Sequence, residues 1–259
     1  MWLRENSPAT SFFESPSRAA EYSVMSWWDY GNWILYLTRR PVVANNFQAG
    51  YEDAATFYLS EEEREATEVL DRRGSRYILT DFGLVYGKLP ALTTWAGKDI
   101  SDYMTMEAQG GRIEATPTRR LYNTTMARLY LFDGSGMGRF RLIYESPTLV
   151  GSNPPKSQVK IFEYVPGALI RVRAGPEKRA GALLNMTSNQ GRSFTYINEA
   201  LPVNGAFEMR VPYSTEGGAG THATGPYMVF AGDRQGVTIQ SLNVSEEDVL
   251  HGRTLEVAL

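Results

Sequence analysis

The 259-residue sequence contains no cysteine and only two histidines, His222 and His251. Without cysteine the chain cannot form a disulfide, a zinc–thiolate site or a cysteine nucleophile. The two histidines lie in the polar segments GTHATG and VLHGR, and two imidazoles cannot build a histidine-rich metal site. A Ser-His-Asp triad is arithmetically possible, but surface histidines are the favoured interpretation.

Long apolar runs and an excess of basic charge are also absent. No run approaches the ~20 apolar residues that a membrane-spanning helix needs, and no secretory signal pattern opens the chain. The 26 basic and 29 acidic residues give a net charge of −3, so a nucleic-acid partner is not expected. The opening MWLRENSP resembles the end of a helix, and we expect the chain to be part of a longer protein.

The first half of the chain carries helix and strand signals in alternation. Residues 60–63 (SEEE) predict a capping box, followed by a helix with acids at its start and two arginines at its end, closed by Gly74. A buried strand is predicted over residues 76–80. A second helix is predicted over residues 84–108, with a kink at Pro90.

From about residue 115 the pattern changes to short β-prone segments separated by turns, from ARLYLFDG to TLEVAL. Such spacing predicts an antiparallel sandwich or barrel. The glycines of GSGMG at 134–138 precede a predicted strand, so they indicate a hairpin turn rather than a phosphate-binding loop. We therefore predict a mixed α/β (α+β or α/β) central core over residues 1–165. An all-β peripheral module, an antiparallel β-sandwich or β-barrel, is predicted over residues 166–259.

The segment SWWDYGNW holds three of the five tryptophans, Trp27, Trp28 and Trp33, together with Asp29 and Gly31. An indole N–H only donates a hydrogen bond and a carboxylate only accepts, so the two together complement a hydroxyl group. Glycine permits a tight turn that brings neighbouring side chains to one place. This composition suits a hydroxyl-binding pocket on a strand-to-helix turn.

Two other interpretations of the same residues stay open. Flat aromatic rings beside an acid also suit the stacking of a sugar. Alternatively, the tryptophans belong to the core and Asp29 caps the helix that follows.

SWWDYG resembles the WWDYG signature of oligosaccharyltransferase catalytic subunits, a family that includes archaeal AglB, bacterial PglB and the eukaryotic catalytic subunit. Four stretches are similar to archaeal AglB soluble domains and occur in the same order: WLRENSP, EYSVMSWWDYGNWI, RPVVANNFQAG and SRYILTDFGLVYGKLPAL. The resemblance extends over about residues 1–165. It implies that Trp27, Trp28 and Asp29 bind the Ser/Thr of an acceptor sequon Asn-X-Ser/Thr, while Tyr30 and Gly31 shape the turn.

The resemblance also implies a second motif on a kinked helix, commonly Asp-x-x-Lys-x-x-x-Met/Ile. Lys88 is its best match, with Leu92 in the terminal apolar position. The position of the expected acid is occupied by Val85, which departs from the family pattern, and Asp81 lies four residues before it.

Further expectations concern ligands and location. The family binds Mn²⁺ or Mg²⁺ and its lipid-linked oligosaccharide through a membrane region, so we expect no metal or cofactor in this chain and no catalysis by it alone. The expected partner is an acceptor polypeptide carrying Asn-X-Ser/Thr, with the chain monomeric and facing the cell exterior. The alternative is a carbohydrate-binding or structural surface module without a sequon role.

Overall fold

The structure of the protein, a computed structural model, combines helices with several β-sheets, as the predicted fold class requires. It describes residues 1–109, 112–152, 154–175, 179–218 and 220–259. Within these ranges, no helix has both the length and the apolar character that crossing a bilayer demands.

The chain divides into two compact units. The first contains Met1–Leu131 and Val150–Val159, and the second contains Phe132–Leu149 and Lys160–Leu259. The domain boundary that the sequence places after residue 165 stays a prediction.

Most helices of the protein belong to the first unit. Its helices and strands are α1 (Trp2–Asn6), β1 (Ser23–Met25), α2 (Gly31–Thr38), α3 (Tyr51–Leu59), α4 (Glu63–Arg73), β2 (Ser75–Asp81), α5 (Phe82–Gly87), α6 (Leu89–Trp95), β3 (Met104–Gln109), β4 (Arg112–Pro117), α7 (Arg119–Asn123) and α8 (Thr125–Phe132, whose last residue belongs to the second unit). Three short 3₁₀ helices lie at Ser11–Phe13, Trp28–Tyr30 and Ile100–Asp102.

Strands β1 and β2 of this unit pair in parallel. Met25 pairs with Ile78 and Val24 with Tyr77, and all four side chains are buried. Both strands lead directly into helical turns, so the pair delivers two chain segments to the same end of the sheet.

The predicted capping box at residues 60–63 is wrong. Among the described residues no side chain caps α4, which begins at Glu63 after Glu62. The Ser60 hydroxyl instead donates to the Thr56 carbonyl at 2.7 Å and so completes the last turn of α3. The predicted end of α4 is confirmed, because Gly74 adopts φ 57°, the left-handed conformation that glycine favours.

The long kinked helix predicted over residues 84–108 is two short helices, α5 and α6, joined at Lys88. Proline lacks an N–H and is tolerated in the first turn of a helix. A new helix therefore begins at Leu89 with Pro90 in its first turn, rather than continuing through a kink. The chain leaves α6 after Trp95, with φ 64° at Gly97, and enters the hairpin of β3 and β4.

The segment ARLYLF, predicted as a strand, lies in α8. Met126, Leu129 and Tyr130 are all fully buried. Their spacing of three and four residues fits one face of a helix, whereas Leu129 and Tyr130 would point to opposite faces of a strand. GSGMG is consequently not a hairpin turn, since it connects the helix α8 to the strand β5 (Phe140–Glu145). Gly134 adopts φ 78° there, which shows why glycine is needed in this turn.

The second unit contains two larger sheets and an antiparallel pair, β5 with β8 (Val159–Tyr164, whose first residue belongs to the first unit). Its other strands and its helix are β9 (Ala168–Arg173), β10 (Arg179–Thr187), β11 (Ser193–Glu199), β12 (Leu201–Val203), β13 (Ala206–Val211), β14 (His222–Ala223), β15 (Tyr227–Gly232), β16 (Val237–Leu242), α9 (Glu246–His251) and β17 (Thr254–Ala258). The short strands β6 (Leu149–Val150) and β7 (Lys156–Ser157) complete the described elements.

The strand orders are β11-β10-β15-β16, with β14 beside β10, and β12-β13-β9-β17. Inward side chains of both sheets, such as Ile170, Tyr196 and Val229, form one apolar core, so the two open sheets make the predicted sandwich. Two details differ from an all-antiparallel module. Strand β17 pairs parallel with β9, and α9 was not predicted, although Ser245 and Asp248 form its capping box.

Candidate functional site

The SWWDYG segment forms the predicted strand-to-helix turn. Strand β1 ends at Met25, a 3₁₀ turn follows over Trp28–Tyr30, and α2 begins at Gly31. Gly31 has ordinary helical angles, with φ −54°. Its role is to permit close backbone approach, since an added Cβ would lie 2.1 Å from the Ala44 carbonyl oxygen.

Four aromatic rings meet at this turn. Trp95, the last residue of α6, lies 5.4 Å from Trp27 and 5.2 Å from Trp28 between ring centroids, and 4.5 Å from Tyr51. Trp27 is only 1% exposed, whereas Trp28 and Trp95 are half-buried. Trp95 belongs to none of the sequence motifs, although it follows Leu92 by three residues and therefore shares a helix face with it.

Asp29 and Lys88 form an ion pair through Asp29 Oδ2 and Lys88 Nζ. The two residues are 59 positions apart in sequence and meet because Lys88 lies at the junction of α5 and α6. Their side chains are 27% and 35% exposed, so the pair lies at the protein surface. Leu92, the other residue of the second motif, is fully buried.

Tyr30 contacts a second acid, Asp81, at the end of β2. The Tyr30 hydroxyl donates to Asp81 Oδ1 at 3.3 Å, and the Leu84 N–H donates to the same oxygen at 3.1 Å, which caps α5. Burial raises the pKa of the Asp81 carboxyl. Burial and the nearby Asp81 raise the pKa of Tyr30 as well. Asp81 thus places a carboxyl group at the turn, while Val85, where the family pattern has its acid, is buried as an apolar residue.

Three polar atoms at this turn are buried and unpaired. Among the described residues, Trp28 Nε1, Asp29 Oδ1 and Asp81 Oδ2 have no hydrogen-bond partner. A buried polar atom without a partner costs about 1–3 kcal/mol. One donor and one acceptor on adjacent residues, Trp28 and Asp29, are the complement of a single hydroxyl group.

The structure also bears on the interpretation of SWWDYG as core and cap. Trp27 is part of the core. Asp29 does not cap α2, because Tyr30 occupies the N-cap position without a side-chain cap hydrogen bond, and the Asn32 N–H in the first turn donates to Asn46 Oδ1 at 3.4 Å. The carboxylate of Asp29 therefore has no capping role that would explain its place beside the tryptophans.

Metal ligation finds no support in the residues at hand. Across the described part of the chain, no three His, Asp or Glu side chains come together in a set that could hold a metal ion. The two histidine rings bond to backbone carbonyls in the second unit, His222 to Gly220 at 2.8 Å and His251 to Glu247 at 2.9 Å.

Comparison with known proteins identifies two family domains in this chain. Residues 1–85 match the AglB core domain, and residues 167–255 match the archaeal glycosylation protein B long peripheral domain. The dolichyl-phosphooligosaccharide-protein glycotransferase 1 of Archaeoglobus fulgidus is 36% identical over 169 residues, which covers 63% of this chain and 25% of that protein.

Solved structures show the same fold. A crystal structure of an A. fulgidus oligosaccharyltransferase in complex with Zn and sulfate superimposes with a TM-score of 0.84 at 23% identity, covering 100% of this chain and 45% of that one. The same enzyme tethered through a disulfide bond to an acceptor peptide containing the NVT sequon gives a TM-score of 0.83 at 22% identity, covering 100% and 42%.

The chain thus spans between a quarter and about half of the length of these proteins. The two family domains occur on one chain, and the whole of this chain matches the fold of 45% of a solved oligosaccharyltransferase. The chain is homologous to the C-terminal soluble domains of archaeal oligosaccharyltransferases of the AglB family.

Proposed function

We propose that this chain is the acceptor-recognition region of an oligosaccharyltransferase, and that its WWDYG turn binds the hydroxyl of the Ser/Thr in an Asn-X-Ser/Thr sequon. The observation that carries the proposal is the unpaired donor–acceptor set, Trp28 Nε1 and Asp29 Oδ1, within one strand-to-helix turn. A Ser or Thr hydroxyl accepts from the indole and donates to the carboxylate, so both atoms become paired.

Discrimination follows from the same hydrogen bonds. An acceptor with Ala in place of Thr leaves the indole N–H and the carboxylate oxygen desolvated and unpaired, at about 1–3 kcal/mol for each group. Lys88 holds the second carboxylate oxygen of Asp29. Trp27 packs beneath Trp28, and Leu92 packs in the adjacent core, so both support the site without reaching solvent.

In the whole enzyme, this binding orients the substrate. Holding the hydroxyl residue two positions after the acceptor Asn fixes the position of the Asn amide. The amide nitrogen attacks the anomeric carbon of a dolichyl-phosphate-linked oligosaccharide, the bond from that carbon to the phosphate oxygen breaks, and the amide loses one proton. This chain supplies positioning residues and, by the proposal, does not catalyse transfer alone.

The remaining parts of the reaction belong to the rest of the enzyme. We place the lipid-linked donor and a Mn²⁺ or Mg²⁺ site outside this chain. We further propose that the chain is monomeric and lies on the outer side of the cell membrane, with domains at residues 1–165 and 166–259. The start of the peripheral-domain match at residue 167 supports that boundary.

The test compares Trp28→Phe and Asp29→Asn in the complete glycotransferase. Transfer to a peptide containing Asn-Val-Thr is expected to fall at least tenfold in kcat/KM for each variant, which corresponds to about 1.4 kcal/mol. Trp33→Phe is the matched control, because Trp33 is 67% exposed on α2 and lies outside the aromatic cluster. Full transfer by either site variant contradicts the proposal.

A carbohydrate-binding module is the second candidate, and one observation favours it. Trp33, Tyr36 and Phe47 are 67%, 76% and 86% exposed, and such rings can stack on sugars. Titration of the chain with a neutral oligosaccharide and with the Asn-Val-Thr peptide separates the two functions. Saturable quenching of tryptophan fluorescence by the oligosaccharide alone, lost in Trp33→Leu, identifies the module.

A further inference from the structure

Residues at both ends of helix α6 contact the proposed site. Lys88 precedes its first residue and pairs with Asp29, while Trp95 is its last residue and packs on Trp27 and Trp28. Positions 88, 92 and 95 are separated by four and three residues, so they lie along one helix face. Trp95 is the member of this face that none of the sequence signatures includes.

The ring of Trp28 is oriented by packing. Within the described residues its Nε1 has no hydrogen-bond partner, so no hydrogen bond sets the angle of the ring. Its aromatic contacts are with Trp27, centroids 6.3 Å apart with the planes at 63°, and with Trp95, centroids 5.2 Å apart with the planes at 37°. The closer and more nearly parallel ring is Trp95.

Other neighbours restrain the ring of Trp95. Tyr51, the first residue of α3, contacts the Trp95 ring edge-on with centroids 4.5 Å apart. Leu92, one turn earlier on α6, is fully buried and anchors the same helix face. Because edge and offset contacts between aromatic rings have preferred geometries, this cluster restricts the rotation of Trp95 and, through it, that of Trp28.

We infer that Trp95 is a positioning residue for acceptor recognition: it aims the Trp28 N–H at the acceptor hydroxyl. The inference rests on the proposed function and extends it to a residue outside the WWDYG turn. An aromatic ring at position 95 keeps the donor pointed at the hydroxyl, whereas an aliphatic residue lets the indole rotate. Trp95 therefore affects the choice between acceptors with and without a hydroxyl, beyond any effect on folding.

The experiment uses the 259-residue chain labelled with ¹⁵N at its five indoles. Peptides containing Asn-Val-Thr or Asn-Val-Ala are titrated, and the Trp28 Nε1–H resonance, assigned by its loss in Trp28→Phe, is followed by NMR. The variants are Trp95→Leu and Trp95→Phe, with Trp33→Leu as the matched control. Circular dichroism and thermal unfolding identify the variants that are folded.

In the wild type, the Trp28 indole resonance is expected to shift with the Thr peptide and to stay in place with the Ala peptide. Trp95→Leu is expected to reduce the ratio of Thr to Ala affinity by about three- to tenfold, the range of one aromatic contact. Trp95→Phe and Trp33→Leu are expected to retain most of that ratio.

Three outcomes contradict the inference in separable ways. A wild-type chain that responds equally to both peptides overturns the proposed function, and the role of Trp95 falls with it. A folded Trp95→Leu chain that keeps the wild-type ratio overturns the role of Trp95 while the proposed function stands. If Trp95→Leu does not fold, the folded Trp95→Phe chain is the test. A Thr-to-Ala affinity ratio in Trp95→Phe as low as that of Trp28→Phe contradicts the inference that ring packing orients Trp28.

Discussion

At the scale of single residues, the two oxygens of Asp29 have different surroundings. Oδ2 pairs with Lys88, while Oδ1 is buried and has no partner among the described residues. A carboxylate held by one cation at one oxygen keeps the other oxygen available as an acceptor in a defined direction. By the proposal, this division leaves one oxygen of an acid within an aromatic cluster available to a hydroxyl.

Removing the cation is expected to weaken acceptor discrimination. In Lys88→Met the Asp29 carboxylate loses its partner and can rotate toward solvent, so the preference for Thr over Ala peptides should fall about three- to tenfold, given a charge-assisted hydrogen bond of about 1 kcal/mol at a surface site. Peptide titration of the chain measures this ratio. Lys98→Met is the control, since Lys98 Nζ bonds to the Leu59 carbonyl instead, and it should leave the ratio unchanged.

A second prediction concerns Asp53, which pairs with Arg72 and Arg73 at the end of α4. Burial alone would raise its pKa, but the two guanidinium groups hold the pKa of Asp53 below its usual 3.8. A lowered pKa in the folded state stabilises the protein above pH 3.8, and this contribution is lost as the pH falls through the folded value.

Asp53→Asn should therefore lower the free energy of unfolding by about 1 kcal/mol at neutral pH. Urea unfolding at several pH values should show the difference from wild type shrinking in acid below pH 3.8. Glu68→Gln is the control, because the Arg64–Glu68 pair is exposed and should change stability by only a few tenths of a kcal/mol. A difference for Asp53→Asn that is independent of pH would contradict this account.

At the scale of secondary-structure elements, the start of α2 depends on the absence of a side chain at Gly31. The backbone of Ala44 and Asn45 lies against Gly31 so closely that a Cβ there would be 2.1 Å from one backbone atom and 2.6 Å from another. The loop after α2 is thereby packed beside the WWDYG turn, where Asn46 Nδ2 also donates to the Asp29 carbonyl at 3.2 Å.

Gly31→Ala is expected to destabilise the protein by about 2–3 kcal/mol, the upper range for overpacking, because only backbone can move out of the way. Gly87→Ala is the matched control: a Cβ at Gly87 would meet no described heavy atom within 4 Å, and alanine is the better helix former. Thermal and urea unfolding of both variants measure the effects. Equal stability of the two variants would show that the loop after α2 moves away from the added methyl group without loss of stability.

At the scale of the whole molecule, a buried charge network explains why residues 132–149 join the second unit. Lys160, 1% exposed, pairs with Asp133 at 2.5 Å, and Arg192 bonds to both Asp133 and Glu145 at 2.7–2.9 Å. Ser188 donates to Glu145 at 2.6 Å. Each charge in this network has a partner, so a lysine and a glutamate can be buried together.

Asp133→Asn is expected to cost about 3 kcal/mol, because Lys160 stays buried without its carboxylate. Asparagine is the appropriate substitution, since Asp133 has φ 56° and asparagine tolerates that conformation. Urea unfolding measures the loss. Glu247→Gln, which breaks the exposed pair with Arg253, is the control and should stay within about 0.5 kcal/mol of wild type. A loss of only about 0.5 kcal/mol in Asp133→Asn would show that the network does not stabilise the protein.

The sequence-based predictions were wrong where a local sequence pattern was compatible with two different structures. SEEE at 60–63 satisfies the capping-box pattern, but the Ser60 hydroxyl is taken by the preceding helix. ARLYLF has strand-forming composition, but the chain there forms a helix that buries Met126, Leu129 and Tyr130, at spacings of three and four residues. Conversely, the capping box of α9 follows the same rule as the failed one, and there the preceding element is the strand β16, which ends at Leu242 and has no helical carbonyl to take the Ser245 hydroxyl.

The sequence alone predicts the mixed α/β class, most strands of the sandwich, the glycine end of α4 and the position of SWWDYG on a strand-to-helix turn. These features follow from periodicity and turn residues, which act over a few positions. No local pattern predicts four contacts that the folded chain makes: Lys88 with Asp29, Tyr30 with Asp81, Trp95 with the aromatic cluster and Asp133 with Lys160. Each of these contacts joins residues distant along the chain, and packing of whole elements, rather than any local preference, sets the distances between them.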